Sequence, residues 1–389
     1  MNAPVERAMS VEVDQRVHIE APKERVWRAL VEHDDLHRWL FPSAVADVRV
    51  GGSWRFTFPH WPSARGLQHP ALNFGGPIVE LEPGRVLAVA FEPPYWGVLR
   101  FELSADGSGT DLRVTQRGFE GNEDWLADFR GGWGSFNDRL ALLCEIGVTA
   151  TPRHIEPTLA AERTLEPGEV AGALEQLAGR GLPAKPYWYA DGGRITVVVP
   201  GADAGDGYRL RREEGLDALC VELPPTADLE AARASLLRSL PRRGWTAAGP
   251  LRASVEPAHP ELGSELCLPY RPALGDDPEP FVRAFERVFC ASGRGGASAY
   301  FAPGGAFALA GGPHPRPLDT PLSRLPAGAV TRFWRLRLSE GRVLTADWEG
   351  SGWTAGRNRG TSTWTFADDG RIEQLILRFD PSVERMVAA

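Results

Sequence analysis

Six large apolar side chains, Trp125, Phe129, Trp133, Phe136, Leu140 and Leu143, follow one another at intervals of four, four, three, four and three residues. That spacing returns side chains to one face of an α-helix, so the stretch predicts a long helix with a heavily aromatic stripe. Such a stripe needs an apolar surface to pack on. The residues upstream supply one. Trp54, Phe56 and Phe58, then Val79 and Leu81, Leu87, Val89 and Phe91, Leu99, Phe101 and Leu103, and Leu112 and Val114 recur with the period of strands buried on one face. Gly51-Gly52, Pro83-Gly84 and Asp106-Gly107 separate several of these runs, as antiparallel hairpins require. Ahead of them, Val11, Val13, Val17 and Ile19 predict a strand, and Pro22 opens a helix with Val26, Trp27 and Leu30 on one side. A second short helix carries Leu36, Trp39 and Leu40. Gly131, Gly132 and Gly134 lie inside the long helix, where each costs about 1 kcal/mol relative to alanine. They imply a bend or a close backbone approach. The order describes a curved sheet wrapped round one helix.

At about 150 residues per domain, 389 residues hold two or three cores. A composition 43% hydrophobic and 24% charged excludes disordered, collagenous and coiled-coil chains. No apolar run reaches the roughly 18 residues of a membrane span, and the first residues carry acids where a secretory signal would be apolar. A cytoplasmic location is the expectation. Cys144, Cys220, Cys267 and Cys290 form no CxxC and are expected to be separate thiols, neither a zinc knuckle nor a disulfide framework. The net charge is −8 and no Lys/Arg run occurs, which excludes a nucleic-acid footprint. No catalytic or cofactor motif such as HExxH, GxSxG, Walker or GxGxxG is present, so neither a cofactor nor a metal is expected.

The motifs APKERVWRALVEHDDLHRWL, GGSWRF, GGPIVELEPGRVLAVAFEPP, GTDLRVTQRGFE and GWGSFNDRLALLCE resemble the SRPBCC superfamily, and within it the heat-shock-ATPase-activator-like branch, related in fold to START domains and the birch-pollen allergen. The resemblance spans residues 11–147 and implies a helix-grip fold with an internal hydrophobic cavity. That fold hosts lipid carriers, hormone receptors, polyketide cyclases and co-chaperones, so it does not select one chemistry. Trp27 reads as core. Trp39, Trp54, Phe56, Trp96, Trp125, Phe129 and Trp133 have two readings, core or the wall of an apolar ligand site. Glu80 faces either that cavity or solvent. His60 and His69 lie in a Pro-rich loop that is either a lid or plain surface.

Further on, helix-forming Glu169–Gly179 and Asp228–Arg243, each followed by strand-like runs, read as a faint internal duplication of helix then strands. RRGWTAAGPLRASVEPAHPELGSELCLPY resembles the end of GyrI-like effector-binding domains, a resemblance drawn over residues 165–272. It implies a pocket for a bulky, often cationic or aromatic molecule with Glu265 at its centre; Tyr187, Trp188, Tyr208 and Trp245 in the same segment are candidate stacking surfaces. The alternative for Glu265 is an exposed strand carboxylate. Residues 280–381 carry alternating runs ending in an Asp369-Gly370 hairpin and resemble a SnoaL-like, ketosteroid-isomerase-like cone. In such a cone Asp347 is a candidate general base; its other reading is a carboxylate that faces solvent or pairs with arginine.

The expectation is an α+β chain: a helix-grip domain, a duplicated α/β effector-binding-like domain and a cone. Three folds that enclose apolar molecules point to a carrier, sensor or self-protection protein for a bulky hydrophobic or aromatic small molecule. A cyclase, isomerase or hydrolase acting on such a molecule is the alternative. Regulation of a heat-shock ATPase, with that chaperone as partner, is a third reading.

Overall fold

The computed structural model describes residues 13–58, 61–62, 68–69, 72–92, 97–118, 123–155, 158–178, 186–191, 194–200, 208–213, 216–255, 264–290, 297–310, 332–339, 342–350 and 358–380. The first elements are β1 (Val13–Ile19), α1 (Lys23–Val31), α2 (His33–Trp39), β2 (Val45–Ala46), β3 (Ser53–Phe58), β4 (Trp61–Pro62), β5 (Gln68–His69), β6 (Leu72–Glu82), β7 (Val86–Phe91), β8 (Gly97–Asp106), β9 (Gly109–Arg117) and α3 (Glu123–Ile146). Then follow β10 (Thr151–Ile155), β11 (Thr158–Leu165), α4 (Val170–Ala178), β12 (Tyr187–Asp191), β13 (Arg194–Pro200), β14 (Arg209–Glu213), β15 (Leu216–Leu223), α5 (Leu229–Arg242), β16 (Trp245–Ala247), β17 (Arg252–Val255) and β18 (Ser264–Pro272). The last are α6 (Glu279–Cys290), β19 (Phe301–Ala310), β20 (Arg332–Ser339), β21 (Val343–Gly350), β22 (Asn358–Phe366) and β23 (Ile372–Phe379). The chain is α+β and divides into two units, 1–150 with 227–243, and 151–226 with 244–389. Helix α5 therefore belongs to the first unit although its flanking strands belong to the second.

The first unit is a seven-stranded antiparallel sheet in the order β1-β9-β8-β7-β6-β3-β2. Its register aligns Ile78, Val89, Leu99, Gln116 and Val13 in one row, and Leu87, Phe101, Val114 and Gln15 in the next. These rows face α3, whose Trp133, Phe136, Leu140 and Leu143 are buried against them in one core. The outer face is charged: Arg113 pairs with Asp14 at 2.8 Å, and Arg100 pairs with Glu102 and with Glu80. Glu80 therefore faces away from the core.

Helix α1 starts after Pro22, as its sequence requires, and ends with backbone carbonyls that no helical N–H can reach. Two tryptophans satisfy them. Trp39 Nε1 donates to Ala29 O at 2.7 Å and Trp54 Nε1 to Leu30 O at 3.0 Å, which ties α2 and β3 to the same helix end.

The second unit contains a nine-stranded sheet whose main path is β10-β15-β18-β17-β12-β13-β11-β14, with β16 on β18, and a five-stranded sheet β19-β23-β22-β21-β20. In the smaller sheet Leu344, Ala346 and Trp348 alternate inward beneath Phe281 and Phe285 of α6. Val343, Thr345 and Asp347 form the opposite row. The Asp369-Gly370 turn predicted from sequence is present, with Gly370 at φ 73°. The buried Arg271 of β18 donates to the carbonyls of Asp369 at 3.2 Å and Gly370 at 3.4 Å.

Gly131 and Gly132 of α3 are not placed by a close backbone approach. The helix runs unbroken from Glu123 to Ile146, and a Cβ added at Gly131 or Gly132 would meet nothing within 4 Å. No close approach requires them. Gly131→Ala should raise stability by about 1 kcal/mol, the difference in helix propensity, measurable as an increased midpoint of denaturant unfolding.

Candidate ligand-binding interior

The aromatic stripe of α3 meets the aromatic residues of β3, β6 and β8 ring to ring. Centroids lie 5.7 Å apart for Trp133 and Phe101, 5.7 Å for Trp54 and Phe56, 5.4 Å for Phe56 and Phe74, and 5.6 Å for Phe74 and Phe129. Phe41, from the segment after α2, closes on Phe56 at 5.7 Å and on Phe136 at 5.4 Å. Edge-to-face and offset contacts of this kind add to the simple burial of area. The cluster grades outward. Trp39 and Trp54 are fully buried, Phe56 and Trp133 nearly so, while Phe41 and Phe129 are only partly buried. Trp96 and the side chain of Trp125 lie outside the described residues, as do His60 and most of the Pro-rich loop.

Two glutamines interrupt the apolar rows, and both turn toward α3. Trp133 Nε1 donates to Gln116 Oε1 at 2.7 Å. Gln15 Nε2 donates to the Arg130 carbonyl at 2.7 Å, and Asn137 Nδ2 donates to Gln15 Oε1 at 2.9 Å. The carbonyl of Arg130 can only accept, which orients the Gln15 amide and, through it, the amide of Asn137. Asn137 Oδ1 is left buried with no hydrogen-bond partner among the described residues. A buried acceptor of this kind is costly unless something donates to it.

The other side of α3 is acidic, and α5 covers it. Asp138, fully buried, accepts from Ser239 at 2.7 Å and pairs with Arg243 at 2.5 Å. Glu145 pairs with Arg242 at 2.9 Å and Arg238 at 3.0 Å and accepts from Ser235. Burial raises the Asp138 carboxyl above its ordinary value, and Arg243, Ser239 and Arg242 only partly oppose it. For Glu145 burial also opposes ionisation, but Arg242, Ser235 and Arg238 together hold its carboxyl below the usual range. The hydrophobic stripe of α3 predicted its sheet-facing side; the arginines at the end of α5, Arg238, Arg242 and Arg243, were the unused signal for the other.

In the second unit Glu265 shares a face of β18 with Cys267, and its carboxylate accepts from Arg153 of β10. Arg153 also reaches Glu222 at 3.2 Å. Of the expected stacking residues, Tyr187 lies in register with Ser254, which is in register with Glu265. Trp188 alternates to the opposite face and packs on Val197 and Val199 with Tyr208, and Trp245 stacks on Tyr270 at 3.8 Å. The structure thus brings Tyr187 to the face of Glu265 and sends Trp188 to the other. Asp347 sits on the outer row of β21 and pairs with Arg335 at 3.2 Å, away from the ring-filled core beneath α6. The expectation of separate thiols is corrected at one pair: Cys220 and Cys267 are disulfide-bonded, because the antiparallel register sets them directly opposite with Cα atoms 4.2 Å apart.

A curved antiparallel sheet closed by one long C-terminal helix, with two short helices after the first strand, defines the helix-grip class. Residues 20–145 match the family model described as Activator of Hsp90 ATPase homolog 1-like protein, about a third of the chain. The N-terminal domain is SRPBCC-like, as its motifs predict. Among solved structures, the Aha1 dimer from Colwellia psychrerythraea is 22% identical, over 35% of this chain and 97% of its own, with a TM-score of 0.30. A protein from Chromobacterium violaceum is 28% identical over 34% and 96%, with a TM-score of 0.28. CalU16 from Micromonospora echinospora is 24% identical over 34% and 73%, with a TM-score of 0.27. No curated protein matches the chain. Among the described residues no helix is long and apolar enough to cross a membrane.

The acidic side of α3 generates a pH prediction. Glu145, with its lowered folded value, contributes stability that is present above its unfolded pKa of about 4.3 and lost as pH falls through the folded value. Asp138 has the opposite sign and loses stability as pH rises toward its raised value. Glu145→Gln should cost about 2 kcal/mol at neutral pH, since it takes the counter-charge from partly exposed Arg238 and leaves half-buried Arg242 with only its 3.9 Å contact to Asp138. The same variant should flatten the acid limb of a stability-versus-pH curve measured by denaturant unfolding.

Proposed function

We propose that the N-terminal domain binds a bulky apolar or aromatic small molecule against the aromatic face of α3, and that the protein serves as its carrier or sensor. The observation that carries this reading is the graded aromatic cluster with one unpaired acceptor. Phe41 and Phe129 of the cluster are only partly buried, and Asn137, one helical turn after Trp133 on α3, has a buried Oδ1 with no hydrogen-bond partner among the described residues. Apolar sites of this type rely on aromatic walls for affinity and on a few polar atoms for orientation. The ligand chemistry that fits is a flat or bulky hydrophobe with a hydroxyl or amine hydrogen to donate.

The family description favours a second reading, regulation of an Hsp90-type ATPase. A change in the turnover of purified Hsp90 on adding the protein, unaffected by an apolar competitor, would favour it over ligand carriage.

N-phenyl-1-naphthylamine, an apolar probe with a single N–H, tests the first reading. It should bind with enhanced emission and alter the tryptophan fluorescence of the protein. Phe129→Ala should weaken it severalfold. Asn137→Leu, which keeps the branched shape but removes the acceptor together with the amide that donates to Gln15, should weaken it about fivefold to tenfold, the worth of one hydrogen bond, and affect a matched hydrocarbon probe much less. Saturable binding that neither variant changes would place both residues in the core.

A further inference from the structure

The disulfide of the second unit has a neighbour that its sequence spacing concealed. Cys220 on β15 and Cys267 on β18 are exact cross-strand partners, 47 positions apart in the chain. Glu265 stands two residues before Cys267, hence on the same face of β18. One carboxylate oxygen and the two sulfurs all lie within 4.8 Å of one another. Both cysteines are buried, with relative exposures of 3% and 9%, in a small apolar shell made with Ala218, Ile155 and Leu216.

We propose that, once the disulfide is reduced, Cys220, Cys267 and Glu265 form a binding site for a thiophilic divalent cation of the zinc class, so that the redox state of the pair governs metal occupancy. Two thiolates and a carboxylate suit such a cation in softness and in number, and leave a fourth tetrahedral position open. In a tetrahedral site with Zn–S bonds of about 2.3 Å the two sulfurs stand roughly 3.8 Å apart. Opening the pair to that separation calls for rotation of the two side chains about their Cα–Cβ bonds and no change in strand register. The charge also closes. Three anionic donors and the neighbouring Glu222 are balanced by the divalent cation, by Arg153, which already touches Glu265 and Glu222, and by Arg252 of β17, which stands in register with Cys267.

The chemistry balances with an ordinary thiol as reductant. Two RSH molecules reduce the Cys220–Cys267 bond, leaving as RSSR, and each cysteine sulfur takes up one hydrogen. Metal binding then releases those two protons to solvent as the thiolates coordinate. Reoxidation by a small-molecule disulfide expels the cation and restores the bond.

The test uses full-length protein with Cys144→Ser and Cys290→Ser, so that only the paired cysteines remain. After reduction and anaerobic removal of the reductant, cadmium titration should produce a thiolate-to-metal charge-transfer band saturating at one equivalent and displaced by zinc. The oxidised protein should produce none. Cys220→Ser should cut the band to half or less, the intensity of a single thiolate, and Glu265→Gln should keep the band while weakening affinity at least tenfold. Far-ultraviolet circular dichroism confirms the fold of each variant. No band in folded, reduced protein, or an undiminished band in Cys220→Ser, overturns the site; unchanged affinity in Glu265→Gln overturns the part given to the carboxylate. These readouts lie in the second unit and do not depend on whether the N-terminal domain carries a ligand.

Discussion

Helix α3 has two incompatible faces to cover, and the first unit is organised by how each is covered. Its aromatic stripe is removed from water by the sheet, a burial that stabilises each large side chain by about 1.5–3 kcal/mol. Its acidic side cannot be treated in that way, because a buried carboxylate without a partner would cost several kcal/mol. Asp138 and Glu145 are instead met by Arg238, Arg242 and Arg243 from a helix more than 80 residues further along the chain. A domain that looks complete in its first 150 residues therefore draws one of its helices from beyond them.

The same helix concentrates the features that bear on function. Its sheet side combines aromatic rings with the only polar residues of two otherwise apolar rows, Gln15 and Gln116, and with the buried Asn137. An apolar wall gives affinity with little direction, whereas an acceptor fixed through Gln15 to a backbone carbonyl gives direction with little area. In the proposed ligand site, affinity and orientation would thus come from a few residues on one helix. Trp39 and Trp54 act differently. By closing the carbonyl end of α1 they hold α2 and β3 to one point, so those helix carbonyls are not left unmet.

In the second unit, charge and sulfur meet on one face of the larger sheet. Glu265 does not stand alone in an apolar pocket; Arg153 already supplies a positive charge, and any cationic ligand would have to displace or share it. The smaller sheet shows a related outcome. Its inward row is filled by rings from α6, Trp348, Trp364 and Phe333, while Asp347 finds its arginine on the outer row. A carboxylate flanked by apolar residues in sequence is on the solvent side of a strand as often as the register places it there.

The alternation of β1 and β7 to β9, the aromatic period of α3, Pro22 at the start of α1 and the Asp369-Gly370 turn were all legible in the sequence. Each depends on neighbours within a turn or a strand, and local spacing reports such neighbours directly. The helix-grip resemblance of residues 11–147 was likewise carried by contiguous motifs. What the sequence left open were contacts between distant segments: the arginines of α5 on Asp138 and Glu145, Gln15 with Asn137, Arg153 with Glu265, and Cys220 with Cys267. The face on which Trp188 or Asp347 would fall was undecided for the same reason. Periodicity says that residues alternate, but which row is buried depends on the layer that packs against the strand. Tertiary structure alone decided those pairings, because strand register and helix docking set distances between residues that the chain itself leaves tens of positions apart.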